Sequence, residues 1–177
     1  MRANFDRNKA LELILYVATR TSESGFHRVS KILYFADKEH LDSFGRLITQ
    51  DNYVAMKHGP VPSDLYDILK LVRDVDGDRV DDRFKPLFDA FTVKGRYNIV
   101  PLRDADTNLL SDSETQCLDI AIEQYGKMSF QELTEASHDD AWHAADENET
   151  IRFEDIVRTC PSASELLAHI ADPYPGN

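Results

Sequence analysis

The chain has 177 residues, 42% hydrophobic and 29% charged, a composition that excludes a disordered tail or a bundle of membrane spans and fits one domain with a sizeable core. Its 20 basic and 32 acidic residues leave a formal charge of −12, which repels a phosphate backbone unless cations are segregated on one face; no such patch is visible in the sequence. An acidic surface suits a basic partner, such as many RNA-binding or RNA-cleaving proteins, although in most acidic proteins it serves solubility alone.

No stretch approaches the roughly 18 apolar residues of a membrane span, and the first nine residues contain no apolar run, so neither export nor insertion is expected. The two cysteines, Cys117 and Cys160, form no metal or redox spacing, and a reduced, cytoplasmic protein is the simpler expectation.

Leu11, Ile14, Leu15 and Ala18 line one face of a helix at about 6–21. After Gly25, Val29, Ile32, Leu33 and Ala36 repeat the spacing up to a stop near Gly45, and the added Tyr34 and Phe35 make this helix apolar on nearly two faces, so it is expected at the middle of the domain. From 46 to 57 the pattern becomes extended, and Pro60 and Pro62 exclude a helix through 58–61. Ser63 then reads as an N-cap for a stripe of Leu65, Ile68, Leu69 and Val72, ending at the acidic loop 74–82.

Residues 88–102, aromatic and β-branched and interrupted by Lys94-Gly95, predict a small hairpin. Ser111 with Glu114 and Ser129 with Glu132 are two capping boxes; the first helix runs to Gly126, and the second carries Phe130, Leu133 and Ala136, which together predict a helical hairpin. Past Trp142, the acidic run 146–149 separates short helices near 153–158 and 164–171, and Pro173 and Pro175 predict a loose tail over 173–177.

Chemistry-bearing patterns are sparse. The seven glycines are too dispersed for a phosphate-cradling loop, so no nucleotide cofactor is expected. Asp74, Asp76 and Asp78 resemble a calcium loop, but Gly77 stands at the fourth place where the sixth is needed, so no metal is expected there. His138 and His143, with Asp139 and Asp140 between, fall on different helix faces and lack a third ligand. His58, before Gly59-Pro60-Val61-Pro62, is the most enzyme-like single residue, yet a histidine there more often satisfies the following turn. No catalytic residue is therefore assigned.

Three blocks in order resemble the Panacea domain of SocA-like antitoxins and phage-associated proteins: Lys31-Ile32-Leu33-Tyr34-Phe35-Ala36-Asp37 with His40-Leu41 and Phe44-Gly45; Tyr53 to Lys57 with His58-Gly59-Pro60-Val61-Pro62 and Leu65-Tyr66; and Leu110-Ser111 through Tyr125-Gly126 to Leu133-Thr134, His138 and Trp142. They span about residues 10–145, leaving a helical extension at about 150–172 within what reads as one domain over 1–177. The resemblance implies a mainly α (α+β) domain with a small antiparallel sheet or hairpin. It also implies an antitoxin that neutralises a toxin, encoded by an adjacent gene, by direct binding. One branch of the family instead delivers its toxin to an ATP-dependent protease.

On this reading the chain is no enzyme, needs no cofactor, metal, membrane or nucleic acid, and contacts its partner through Tyr34, His58, Pro60, Tyr66, His138 and Trp142. Two other readings make different demands. A hydrolytic or transferase site built on His58 and His138 requires both rings in one pocket with a carboxylate or metal. Nucleic-acid binding requires a segregated basic face.

Overall fold

The computed structural model describes residues 5–171; the predicted loose tail 173–177 lies outside them. The fold is mainly α, 60% helical, with two small antiparallel two-stranded sheets. Helix α1 (Arg7–Arg20) starts where the Asp6 carboxylate accepts the backbone N–H of Asn8 and Lys9, and α2 (Phe26–Phe44) stops where Gly45 turns left-handed at φ 74°. As expected, α2 is the central element: α1, α3 (Ser63–Asp74), α5 (Asp112–Tyr125), α6 (Phe130–Ser137) and α8 (Phe153–Arg158) all pack on it.

The single stripe predicted for α1 understates its burial, because every residue from Ala10 to Ala18 is inside. This includes Glu12, whose carboxylate takes both guanidinium nitrogens of Arg103, at 2.8 and 2.6 Å, and the Asp106 N–H at 2.7 Å. Burying a carboxylate requires such full pairing.

Between α2 and α3 the extended stretch is a hairpin, β1 (Tyr53–Met56) against β2 (Gly59–Pro62), turning at Lys57-His58. A two-residue turn makes Met56 and Gly59 the hydrogen-bonded pair, so the ring nitrogens of Pro60 and Pro62 face away from β1 and no ladder bond is lost. The other edge of β1 is covered by the chain beyond Trp142: Ala55 donates to the Glu149 carbonyl, and Asn148 and Ile151 donate to the carbonyls of Ala55 and Tyr53. The region after 145 thus packs into the fold, with Ile151, Ile156, Val157 and Cys160 buried.

Several sequence expectations are corrected. Ser63 is the first residue of α3 and not its cap; the distant Asp51 carboxylate performs that task, accepting the N–H of Asp64 at 3.1 Å and of Leu65 at 2.9 Å. Residues 88–90 belong to helix α4 (Lys85–Ala90), which has Pro86 in its first turn, so the second hairpin, β3 (Phe91–Lys94) with β4 (Asn98–Pro101), begins later than predicted. Both capping boxes are present, but α5 and α6 each pack on α2 and not chiefly on one another. Within α6 only Leu133 of the predicted stripe is buried; Phe130 is 52% exposed and Ala136 is also outside. A short helix, α7 (Asp140–His143), carries Trp142, and α9 (Ala163–Ala171) follows α8.

Candidate partner-binding site

The strings that carry the family resemblance come together around one side of α2, mostly through buried polar bonds. Asp37, fully inside, accepts the N–H of Ile48 at 2.6 Å and of Thr49 at 3.0 Å, the Tyr53 hydroxyl at 2.8 Å, and the Thr49 hydroxyl. Burial pushes its carboxyl up, against the pull of those donors. One turn and a half earlier, Lys31 is 0% exposed and donates to the Pro60 carbonyl at 2.7 Å. Burial holds its ammonium down at about 7. Gly59 permits this approach: at φ 98° it lies where a Cβ would stand 3.0 Å from Lys31 Nζ and 2.3 Å from Ser137 Oγ.

Tyr34 donates its hydroxyl to Asp139 Oδ2 at 2.9 Å, and Lys38 Nζ lies 2.6 Å from the same oxygen. The other carboxylate oxygen caps α7 by accepting the N–H of Ala141 and Trp142. The Trp142 indole N–H then donates to the Met56 carbonyl at 2.9 Å, and the His138 ring stacks on the indole at 3.7 Å. The Asp139 carboxylate therefore links α2 to α7, and the Trp142 indole links α7 to the first hairpin. His40 belongs to a separate tie, bonded to the Arg46 carbonyl at 2.8 Å and to Ser113 Oγ at 3.1 Å.

Of the six residues assigned to partner contact, Tyr34 and Pro60 are buried, so the expectation that Tyr34 is an exposed aromatic is corrected. Its hydroxyl is satisfied internally by Asp139, which offsets the cost of burying it. Tyr66 is half-buried, edge-on to Phe26. Trp142 and His138 are half-buried, and His58 is exposed at the hairpin turn.

The two histidines of the enzymatic reading lie near one another and near Lys31, but their rings pack on different aromatics. His58 meets the edge of Phe130 at 5.2 Å, whereas His138 lies on Trp142. The carboxylate next to His138, Asp139, is engaged by Tyr34 and Lys38. Among the described residues no group of three or more His, Cys, Asp or Glu side chains is placed to hold a metal ion. Cys117 and Cys160 are both free and buried, their thiols pushed up to about 11 by burial.

Two concavities open on this region. One, of about 350 Å³, is bordered by Lys57, Trp142, His143 and Glu147. The other, of about 430 Å³, lies between the start of α2, the start of α6 and the tip of the β3–β4 hairpin, where Lys94, Arg96 and Tyr97 meet His27, Arg28 and Phe130. Phe130 joins this groove to the first hairpin, since it stacks on His27 at 4.0 Å and also touches His58. Sequence reasoning missed the groove because its cations come from separate segments, and it read Phe130 as a core residue. A local cluster of basic side chains is therefore present although no run of them is visible along the chain.

The fold and these internal ties define a small, mainly helical domain with two short hairpins. A family model described as Antitoxin SocA-like, Panacea domain, matches residues 29–143, more than half of the chain, and the protein belongs to that family. No curated protein and no solved structure matches it. No helix among the described residues is long and apolar enough to cross a membrane.

Proposed function

We propose that this protein is a cytoplasmic antitoxin that neutralises a toxin, encoded by an adjacent gene, by binding it directly and without catalysis. The observation that carries this reading is the family match over residues 29–143. It is supported by the use made of the chemistry-bearing residues within that span: Lys31, Asp37, His40 and Asp139 hold one helix to its neighbours. Groups engaged in such internal bonds are poorly placed to act on a substrate.

In this proposal the partner meets His58, Tyr66, His138 and Trp142, the four of the six residues that reach the surface. Tyr34 and Pro60 act from beneath, fixing α7, which carries Trp142, and the hairpin, which carries His58. The test is bacterial growth with each neighbouring open reading frame expressed alone and together with this chain, followed by co-purification. Rescue with a stable complex is the expected result. Rescue accompanied by disappearance of the toxin would replace direct neutralisation with delivery to an ATP-dependent protease, and absence of rescue would reject the antitoxin reading.

A further inference from the structure

The groove beside the β3–β4 tip differs in charge from the molecule around it. The net charge is −12, and basic side chains elsewhere, such as Lys9, Lys38, Arg46, Arg103 and Arg158, stand in ion pairs. Lys94 and Arg96 are exposed and have no ion-pair partner among the described residues. Between them and α6 lies an aromatic floor, with Tyr97 44% and Phe130 52% exposed.

Both rings are held in place. Tyr97 stands edge-on to Phe26 at 5.6 Å, with the Arg73 and Arg96 guanidinium groups 5.6 and 5.5 Å from its centre. Phe130 is stacked on His27, whose Nε2 lies 3.0 Å from Thr134 Oγ1. Arg28 closes one side, bonded to the carbonyls of Gly126 and Met128 and to Glu23, the single carboxylate of the lining. Aromatic rings fixed before binding lose little entropy on contact, and unpaired cations beside them select for anionic partners.

We infer that this groove docks an acidic segment of a partner protein, with one apolar side chain against Tyr97 and Phe130 and carboxylates against Lys94 and Arg96. The identity of that partner as the toxin rests on the proposed function above; the chemistry of the groove does not. A protein segment fits better than nucleic acid, because two unpaired cations within a strongly acidic molecule cannot offset the repulsion of a continuous phosphate chain. The arrangement would also orient the partner: its basic surface meets the acidic exterior while its acidic segment enters this cationic groove.

The test uses the full chain and a fluorescent short peptide of Asp and Glu around a central Leu-Phe, with a Lys/Arg counterpart and an RNA oligonucleotide as competitors. The acidic peptide is expected to bind, and both the Lys94→Glu/Arg96→Glu variant and Phe130→Ala are expected to weaken it about tenfold or more. The equally charged Arg79→Glu/Arg83→Glu control, outside the groove, should bind unchanged. Thermal unfolding verifies that each variant is folded, and the charge reversal decides the matter if Phe130→Ala is not.

No binding, equal binding by the groove variants, or preference for RNA or the basic peptide would overturn the proposal. The same variants are then co-expressed with the toxic neighbour. Neutralisation that survives both groove variants would remove the groove as the toxin-docking site and leave the antitoxin reading intact. Acidic-peptide binding with no rescuable neighbour would do the reverse.

Discussion

Lys31 places an ammonium where no water reaches it, with the Pro60 carbonyl as its hydrogen-bond acceptor. Its folded value of about 7 lies below the ordinary 10.5, so between those two pH values the unfolded chain binds more protons at this position than the folded one. Stability from this group consequently rises as pH increases from about 7 to 10.5, and its burial costs most below 7. Lys31→Met should abolish that rise, leaving the Pro60 carbonyl unpaired at a cost of about 1–3 kcal/mol. Urea unfolding of both proteins across this range measures the difference; parallel pH profiles would contradict it.

Glu114 has the opposite sign. Burial favours its neutral form, but Lys9, the Ser111 N–H and Arg46 outweigh burial and hold the carboxyl at about 2, below the ordinary 4.5. Its contribution is complete above pH 4.5 and is lost as pH falls from there towards 2. Glu114→Gln should be less stable at neutral pH by about 1–3 kcal/mol. It should also lose less stability on acidification through that window, as followed by thermal midpoints.

At the scale of elements, the first hairpin depends on Gly59. Alanine there would be strained at φ 98° and would meet Ser137 Oγ at 2.3 Å. A loss on the order of 2–4 kcal/mol is expected for Gly59→Ala. Adding Ser137→Ala should recover only the part due to the Ser137 clash, so chemical unfolding of the double variant separates it from backbone strain and the 3.0 Å approach to Lys31. Full recovery would mean that backbone strain contributes nothing. The helix that follows has its cap supplied from outside its own sequence, by Asp51. For that reason the local Ser63 was a misleading signal, whereas the boxes at Ser111 and Ser129, complete within four residues, were readable directly.

For the whole molecule, the segment after 145 joins the edge of β1 and buries Ile151, Ile156 and Val157. Each fully buried aliphatic side chain is worth about 1.5–3 kcal/mol, which for three is comparable to the total stability of a typical domain. A chain ending at residue 146 is expected to lose cooperative thermal unfolding and most of its soluble yield. A folded truncated protein that no longer rescues growth would instead assign this segment to partner contact.

Helices whose apolar periodicity lies within a few neighbouring residues could be read from the chain directly: α1, α2, α3, α5 and the short α8. It also carried the family, because the ordered blocks from Lys31 to Trp142 are a linear pattern. What those residues do depends on contacts made in the folded chain. Tyr34 reads as an aromatic available for contact until Asp139, far along the chain, takes its hydroxyl and makes burial affordable. Phe130 reads as core until α6 turns Leu133 inward and leaves the phenyl ring on the surface. Likewise Lys94 and Arg96 become a site only when the hairpin tip is set beside α2 and α6. Periodicity is a local property of the chain, whereas burial, pairing and the sign of a surface are set by residues that are distant in sequence and adjacent only in the fold.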